Sequence, residues 1–187
     1  GNPDLYVAAG STESPTGSSN YQDRIYFNDG TGNFSENTTA LPSFFTSTKA
    51  VRSSDIDKDG DQDLIVCGRN VPGAYPSGPS THVLINDNAK FIDQTDAWFG
   101  NNTTLGMVTD AIFTDLTGNG VDDLVISAEW SPIRFFKNDG KGFKEITEDI
   151  SDPTVQGWWY SLTANDLDND GDIDLIAGNL GLNNKFH

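Results

Sequence analysis

Aspartate spacing is the chemically most informative feature of the sequence. The segment DLDNDGDIDLIA, which starts at Asp166, places five aspartates within nine residues and then continues into an apolar run. Like charges this close repel by about 1 kcal/mol per pair even in water, so the crowding indicates that a cation lies among them. Two other segments align with it without gaps: DIDKDGDQDLIV from Asp55 and DLTGNGVDDLVI from Asp115.

We call these three segments the acidic loops and number each of them from its first aspartate. Side chains that carry oxygen recur at positions 1, 3, 5 and 9, and position 6 is always glycine. Calcium takes six to eight oxygen ligands, and glycine permits the tight turn that brings odd positions together. We therefore predict that the side chains at positions 1, 3, 5 and 9 and the carbonyl at position 7 bind calcium. The predicted ligands are Asp55, Asp57, Asp59, Asp61 and Asp63 in the first loop, Asp115, Thr117, Asn119, Val121 and Asp123 in the middle loop, and Asp166, Asp168, Asp170, Asp172 and Asp174 in the third.

The middle loop is predicted to bind more weakly than the other two, because Thr117 and Asn119 replace two carboxylates. The alternative is that all three segments are turns with solvated aspartates and no metal. An EF-hand is disfavoured, since the residues after position 9 are apolar and β-branched and predict a buried strand. A metal here is expected to be structural, because the loops offer no nucleophile or base beside an open coordination position.

A second motif lies between the acidic loops and predicts paired strands. It reads RIYFNDGTGNFSENT, HVLINDNAKFIDQT and IRFFKNDGKGFKEIT, each with an Asn-Asp or Asp-Gly turn between apolar runs. Such turns are the strongest short-range signal of a β-hairpin. Each repeat unit therefore has four strands. The last aspartates of successive acidic motifs, Asp4, Asp63, Asp123 and Asp174, are 59, 60 and 51 residues apart, which suits a propeller blade with long loops.

The predicted fold is all-β, an incomplete β-propeller of about three to four blades built from four-stranded antiparallel repeats. The 187 residues form one repeat domain, in which residues 1–47 are a partial blade, 48–105 and 106–153 are blades, and 154–187 are a second partial blade. The opening GNPDLYVAAG matches the second half of the acidic motif, so the chain is expected to begin inside a repeat of a larger propeller. Such units need neighbours to bury both faces.

Composition excludes several partner classes. The formal net charge of -17 and the pI near 4.1 argue against nucleic acid and anionic membranes, which both require basic surface. No stretch approaches the roughly 20 apolar residues of a membrane span, so none is expected. The single cysteine, Cys67, lies in the apolar run DLIVCG and is predicted to be a small core residue.

The acidic loop and the strand that follows it resemble the FG-GAP or VCBS repeat of calcium-binding β-propellers, the fold of integrin α-subunit heads. The resemblance implies a closed ring of about seven blades and an extracellular, periplasmic or bacterial cell-surface location. Four further segments resemble large bacterial surface VCBS-repeat proteins related to ASPIC/UnbV-domain proteins and cartilage acidic protein. These segments are VPGAYPSGP (Val71 to Pro79), GMVTDAIFTDL (Gly106 to Leu116), GWWYSL (Gly157 to Leu162) and GNLGLNNKF (Gly178 to Phe186).

The blade face opposite the acidic loops is the predicted ligand surface. Its loops carry aromatic and charged side chains, which suit a saccharide or a peptide because rings offer a large contact area at low entropic cost. The alternative is that the tryptophans pack between blades. The candidate ligand residues are Arg69, Tyr75, Glu129, Trp130, Trp158 and Trp159.

The leading functional hypothesis is a non-catalytic extracellular calcium-binding module for protein or glycan recognition or for surface scaffolding. An extracellular location of the protein is favoured, because calcium loops of ordinary extracellular affinity, about 10⁻⁴ to 10⁻³ M, stay empty at cytosolic calcium levels. The alternative is part of a polysaccharide-degrading lyase or hydrolase, which requires a base. The histidines are His82 and His187, and neither lies in a Ser-His-Asp spacing. Self-association through open blade edges is a further expectation.

Overall fold

The computed structural model describes residues 2–181. Gly1, His187 and the end of the GNLGLNNKF segment, which the sequence interpretation used, lie outside this range. Within it, the secondary structure is almost entirely β, which confirms the predicted fold class. The strands are β1 Leu5–Val7, β2 Arg24–Asn28, β3 Phe34–Glu36, β4 Thr48–Ser54, β5 Asp63–Gly68, β6 His82–Asp87, β7 Lys90–Asp93, β8 Met107–Thr114, β9 Asp123–Ser131, β10 Arg134–Asn138, β11 Phe143–Glu145, β12 Gly157–Asn165 and β13 Asp174–Asn179.

The strands form successive antiparallel meanders, as four-stranded repeats predict. The order β4-β5-β6-β7 makes one sheet, and β8-β9-β10-β11 repeats it. Before them lies the three-stranded sheet β1-β2-β3, and after them lies the pair β12-β13. Each acidic loop connects the first strand of a repeat to the second, so the three loops occupy equivalent places in successive sheets.

The first strands of the repeats lie side by side and share an irregularity. β8 packs between β4 and β12. In each of the three strands the register shifts five residues before the acidic loop begins, between Thr48 and Ala50, between Val108 and Asp110, and between Trp159 and Ser161. A bulge bends a strand and increases its twist. Its recurrence shows that the repeat extends to the backbone geometry of the strand as well as to its sequence.

The core lies between neighbouring sheets because the second strands are buried on both faces. Along β5, Leu64 and Val66 pack toward the first sheet, whereas Ile65 and Cys67 pack toward the sheet of β8 to β11. Successive side chains of a strand point to opposite faces, so a strand sandwiched between two sheets must be apolar throughout. Cys67 is a free and fully buried thiol, which confirms its predicted role as a core residue.

Two short helices, which the sequence interpretation did not predict, follow the last strands of the two complete repeats. They are α1 Thr95–Phe99 and α2 Thr147–Ile150. The first residue of each is a buried threonine whose Oγ1 accepts a hydrogen bond from the third strand of its sheet. The donors are the N–H groups of Val83, 3.0 Å from Thr95, and of Phe135, 3.1 Å from Thr147. These threonines fasten each helix to its own sheet.

The third sheet departs from the expected blade at residues 128–132, which the sequence interpretation assigned to a loop. β9 continues to Ser131, because its end pairs with both β8 and the start of β12. Glu129 faces Met107 on one side and Trp158 on the other. The last two sheets are thereby joined into one six-stranded sheet. Among residues 2–181, no helix has the length and apolar character required to span a membrane.

Candidate functional site

The three acidic loops share one backbone conformation. Positions 4 and 6 have positive φ in every copy, and position 6 is always glycine, as the sequence predicts for a tight turn. The middle loop adopts this shape although it has two carboxylates fewer, so the turn does not depend on those charges. The φ values are 65° for Lys58 and 100° for Gly60, 68° for Gly118 and 77° for Gly120, and 61° for Asn169 and 96° for Gly171.

Backbone N–H groups inside each loop point at its acidic side chains. The aspartate at position 1 accepts a hydrogen bond from the glycine at position 6, over 3.2 Å at Asp55, 2.7 Å at Asp115 and 3.0 Å at Asp166. The side chain at position 5 accepts one from the N–H at position 7. These distances are 2.9 Å for Asp59 with Asp61, 2.8 Å for Asn119 with Val121, and 2.9 Å for Asp170 with Asp172.

The aspartate at position 9 joins the acidic loop to the hairpin of the same sheet. Asp63 is fully buried, and its two carboxylate oxygens accept the N–H groups of Ile56 and Asn86, each at 2.8 Å. Asp123, also fully buried, repeats the pattern with Leu116 at 3.1 Å and Asn138 at 2.8 Å. The acidic loops and the Asn-Asp turns therefore lie on the same face.

Two of the loops gather carboxylates around a common point. In the first loop, one oxygen each from Asp55, Asp57 and Asp63 lies within 4.8 Å of the others. The third loop does the same with Asp166, Asp168 and Asp174. Positions 1, 3 and 9 are thus brought together, whereas the position-5 carboxylates, Asp59 and Asp170, lie outside these groups, turned toward the backbone.

One carboxylate oxygen of the first loop is buried without a hydrogen-bond donor within residues 2–181. Oδ1 of Asp55 has almost no solvent exposure, and no group among the described residues donates a hydrogen bond to it. A buried polar atom without a partner is costly, and a bound ion is one of the ordinary explanations. The donor set around it is all oxygen, which is the chemistry that a hard cation such as calcium prefers. The residues of this loop can therefore hold a metal ion.

The local electrostatics of the loops differ. Burial raises the pKa of Asp57, and the neighbouring charges of Asp59 and Asp55 add to that increase. Burial also raises the pKa of Asp63, although its backbone donors oppose this effect. In the middle loop the backbone N–H of Gly120 is the main cause of a lowered pKa at Asp115. Burial thus makes two carboxylates of the first loop harder to ionise, which is an effect that a bound cation would oppose.

The middle loop does not assemble an acidic group of the same kind within residues 2–181. At the predicted side-chain ligand positions, Asp115 and Asp123 carry charge, and Thr117 and Asn119 stand where the other loops have carboxylates. The carbonyl of Val121 occupies position 7. Weaker metal binding at this loop stays a prediction.

Five of the six candidate ligand residues come together on the opposite face. Glu129 accepts hydrogen bonds from Nε of Arg69 at 2.6 Å and from the hydroxyl of Tyr75 at 3.5 Å. The indole N–H of Trp130 donates to the Tyr75 hydroxyl at 2.7 Å, and the ring centroids of Trp130 and Trp158 are 4.8 Å apart. The sequence interpretation placed Glu129 and Trp130 in a loop, and the structure places both at the end of β9.

The remaining candidate, Trp159, has a packing role. Its indole N–H donates to the carbonyl of Ser131 at 3.1 Å and so ties β12 to the end of β9. The structure thus supports the packing alternative for this tryptophan.

His82 is held on both sides. Nδ1 lies 3.0 Å from a carboxylate oxygen of Asp93 and Nε2 lies 3.2 Å from Oγ1 of Thr46. The ring also stacks on Phe44, with centroids 4.7 Å apart. These contacts tie the segment before β4 to β6 and β7, which is a structural role.

Acid titration tests the contact between His82 and Asp93, because its strength depends on the charge of the Asp93 carboxylate. Burial raises the pKa of Asp93, but hydrogen bonds from His82 and Thr95 outweigh it and lower the pKa to about 2. The unfolded value is about 3.9, so this carboxylate contributes stability that is complete above about pH 4 and is lost as the pH falls toward 2. Asp93→Asn is expected to cost less than about 1 kcal/mol near neutral pH, because the pair is partly exposed. Urea unfolding should show that this difference shrinks toward pH 2, and a difference that persists there would contradict the assignment.

Comparison with protein families identifies the repeat. The model of the FG-GAP-like repeat matches residues 1–66 and 115–177, together more than half of the chain. The chain belongs to the FG-GAP-like repeat family. All three acidic loops lie inside the matched ranges. A comparison with curated proteins found no match.

The FG-GAP-like repeats contain a recurrent asparagine whose role the sequence interpretation missed. One asparagine lies at or near the end of each of the strands β2, β6 and β10, and the sequence interpretation treated it as a turn residue. These asparagines are Asn28, Asn86 and Asn138. Each side-chain amide donates to the carbonyl at position 8 of the acidic motif, at 3.1, 3.2 and 3.2 Å respectively. The signal was present in the sequence as the repeated Asn-Asp pair of the hairpins.

Asn138 also connects two FG-GAP-like repeats. Its fully buried amide donates at 2.9 Å to the carbonyl of Ile56, which is position 2 of the acidic loop in the preceding sheet. Nearby, the hydroxyl of Ser54 donates to Asp122 at 2.7 Å. The first acidic loop is thus fixed to the next repeat as well as to its own hairpin.

Proposed function

We propose that the chain is a calcium-stabilised, non-catalytic module that presents a recognition face in an extracellular, periplasmic or bacterial cell-surface protein. The observation that carries the calcium assignment is the first acidic loop, where three carboxylates converge beside the unpartnered buried oxygen of Asp55. FG-GAP-like repeats are typical of extracellular proteins and often bind calcium, which supports both parts of the proposal.

The oxygen ligands define what calcium would do. In the first and third loops the carboxylates at positions 1, 3 and 9 would hold the ion, with the position-5 side chain and the position-7 carbonyl as further ligands. The ion would supply two positive charges per site in a chain whose formal net charge is -17. Because Asp63, at position 9 of the first loop, is bonded to the hairpin, an ion bound there would strengthen the attachment of that loop to its sheet. We propose two strong sites and a weaker one in the middle loop.

The wider assignment follows from the repeat. A sheet of this type needs neighbours on both faces, so we propose that the chain works as part of a larger propeller. The segments that resemble VCBS-repeat proteins with ASPIC/UnbV domains and cartilage acidic protein favour bacterial surface proteins as its closer relatives. Partners that are nucleic acids remain disfavoured by the negative charge.

The non-catalytic assignment is supported by His82, the one histidine among residues 2–181. A polysaccharide lyase would use such a group as a base beside its substrate. Here both ring nitrogens contact protein side chains and one ring face is covered by Phe44. These contacts favour binding and scaffolding over lyase chemistry at His82.

Thermal unfolding with and without calcium tests the proposal. A site with a dissociation constant near 10⁻⁴ M contributes about 1.4 kcal/mol at about 1 mM calcium. For a chain of this size that corresponds to a rise of roughly 3–6 °C in Tm per strong site, measured against chelator. Asp57→Asn and Asp168→Asn should each remove part of the rise, whereas magnesium should reproduce little of it. A Tm that is equal in calcium and chelator would contradict the proposal.

A further inference from the structure

Four aromatic side chains form a continuous row across the face opposite the acidic loops. Tyr75 lies between β5 and β6, Trp130 near the end of β9, and Trp158 and Tyr160 in β12. The Trp130 indole donates to the Tyr75 hydroxyl, the Trp130 and Trp158 centroids are 4.8 Å apart, and the Trp158 and Tyr160 centroids are 6.0 Å apart. We refer to these four side chains as the ring row.

The ring row is accessible. Tyr75 is 55% exposed, Trp130 is 44% exposed and Tyr160 is 42% exposed. Single exposed aromatic residues are ordinary, but a contiguous group of them marks an interaction site. The ring row brings residues of three successive repeats together on one surface, so the fold has to be assembled before this surface exists.

A buried carboxylate holds the ring row in place. The side chain of Glu129 has no solvent exposure and pairs with Arg69, and it also accepts the hydroxyl of Tyr75. Trp130 has φ of 58°, which is strained for a bulky residue, and strained residues of this kind cluster at binding sites. A surface fixed in this way loses little entropy when a ligand binds.

A groove lies beside Trp130. Its volume of about 460 Å³ is within the range of small-ligand sites. Apolar side chains form much of its wall, and Glu129 and Arg134 add polar groups. The apolar lining consists of Pro76, Leu105, Met107, Trp130 and Pro132.

We infer that the ring row and its groove bind a neutral saccharide, an inference that rests on the proposed recognition role. A sugar ring has an apolar C–H face that packs on aromatic rings and a rim of hydroxyls that exchange hydrogen bonds. The Arg69 side chain is 42% exposed, and its guanidinium carries five N–H donors, more than the pair with Glu129 uses. The charges of Arg69 and Glu129 balance each other, and Arg134 is paired with Glu145, so the site offers no net charge to an ionic ligand. The net charge of -17 disfavours anionic polysaccharides.

Affinity electrophoresis provides the test. The probes are the neutral polysaccharides laminarin, mixed-linkage β-glucan, xylan and galactomannan, with polygalacturonate and heparin as anionic comparators, at about 1 mM calcium. At least one neutral polysaccharide should retard the chain. Trp130→Ala and Tyr160→Ala should each weaken that binding about tenfold or more, as expected for aromatic anchors. Phe34→Ala removes a similarly exposed ring from β3 and should leave binding unchanged.

Three results would overturn the inference: no retardation by any neutral polysaccharide, retardation by the anionic ones alone, or binding that survives both ring-row substitutions.

Tyr75→Phe keeps the ring and removes the hydroxyl that joins Trp130 to Glu129, so a smaller loss is expected from it. The calcium-dependent Tm of every variant separates the two proposals. A normal calcium shift without saccharide binding rejects the ligand alone, and a missing shift in the unsubstituted chain rejects the calcium module itself.

Discussion

Replacing Asp63 with alanine is expected to lower the free energy of unfolding by about 3–5 kcal/mol. The reason is that both carboxylate oxygens accept backbone N–H groups, from Ile56 and from Asn86, in a place without solvent exposure. Alanine cannot accept either bond, so two donors lose their partner. Hydrogen bonds to a charged acceptor contribute more than neutral ones, and an unmatched buried donor adds its desolvation cost.

Urea unfolding in the presence of chelator is the measurement, because chelator removes any contribution from bound metal. Asp61→Ala provides a matched control, since it removes the same charge from the same loop at an exposed side chain. We expect that control to change stability by less than about 0.5 kcal/mol. A loss below about 1 kcal/mol for Asp63→Ala would show that the two bonds do not hold the loop on its hairpin.

Replacing Asn138 with alanine is expected to cost about 2–4 kcal/mol. The buried amide of Asn138 donates to the carbonyl of Ile56 at 2.9 Å and to that of Asp122 at 3.2 Å. Its removal leaves one carbonyl without a donor in the acidic loop of the preceding sheet. Calcium affinity of the loop from Asp55 to Asp63 is therefore expected to fall as well, because position 2 of that loop is no longer fixed.

Asn86→Ala is the matched control for this effect. Asn86 occupies the same position in its own hairpin, donates to Gln62 at 3.2 Å and accepts from Ala89, just as Asn138 accepts from Gly140. It is partly exposed, and its side chain forms no hydrogen bond comparable to the contact with Ile56 among the described residues. The difference between the two variants in urea unfolding isolates the connection between repeats, and equal losses would argue against that connection.

The repeat itself was predictable from the sequence, because its signals are local. Acidic spacing with glycine at position 6 predicts a tight loop, and the structure gives Gly60 a φ of 100°. The apolar run DLIVCG predicts a buried strand, and every residue of β5 is buried. Asn-Asp turns predict hairpins, and β6 pairs with β7 through such a turn.

The contacts between elements were not predictable, because they depend on distant parts of the chain. Asn138 and Ile56 are 82 residues apart, and no local pattern pairs them. The same holds for Tyr75 and Trp130, which are 55 residues apart. The extension of β9 through Ser131 depends on the start of β12 as a partner strand.

Two local features were missed for a different reason. The Thr95 and Thr147 hydroxyls accept bonds from the sheet and begin short helices, yet threonine is a poor helix former and gives little helical signal. Position 9 of the acidic loop was interpreted as a metal ligand alone. The structure shows that Asp63 and Asp123 also hold the backbone together, so one residue type serves the fold and the candidate metal site.

Calorimetric titration of calcium into chelator-treated protein shows whether the acidic loops bind calcium, because it counts sites and measures their affinities. We expect two sites with dissociation constants near 10⁻⁴ to 10⁻³ M or tighter, and a third, weaker one. Asp55→Asn should remove one of the two stronger sites, and Asp166→Asn should remove the other. The absence of binding at millimolar calcium, or unchanged binding in both variants, would contradict the claim that these loops are calcium sites.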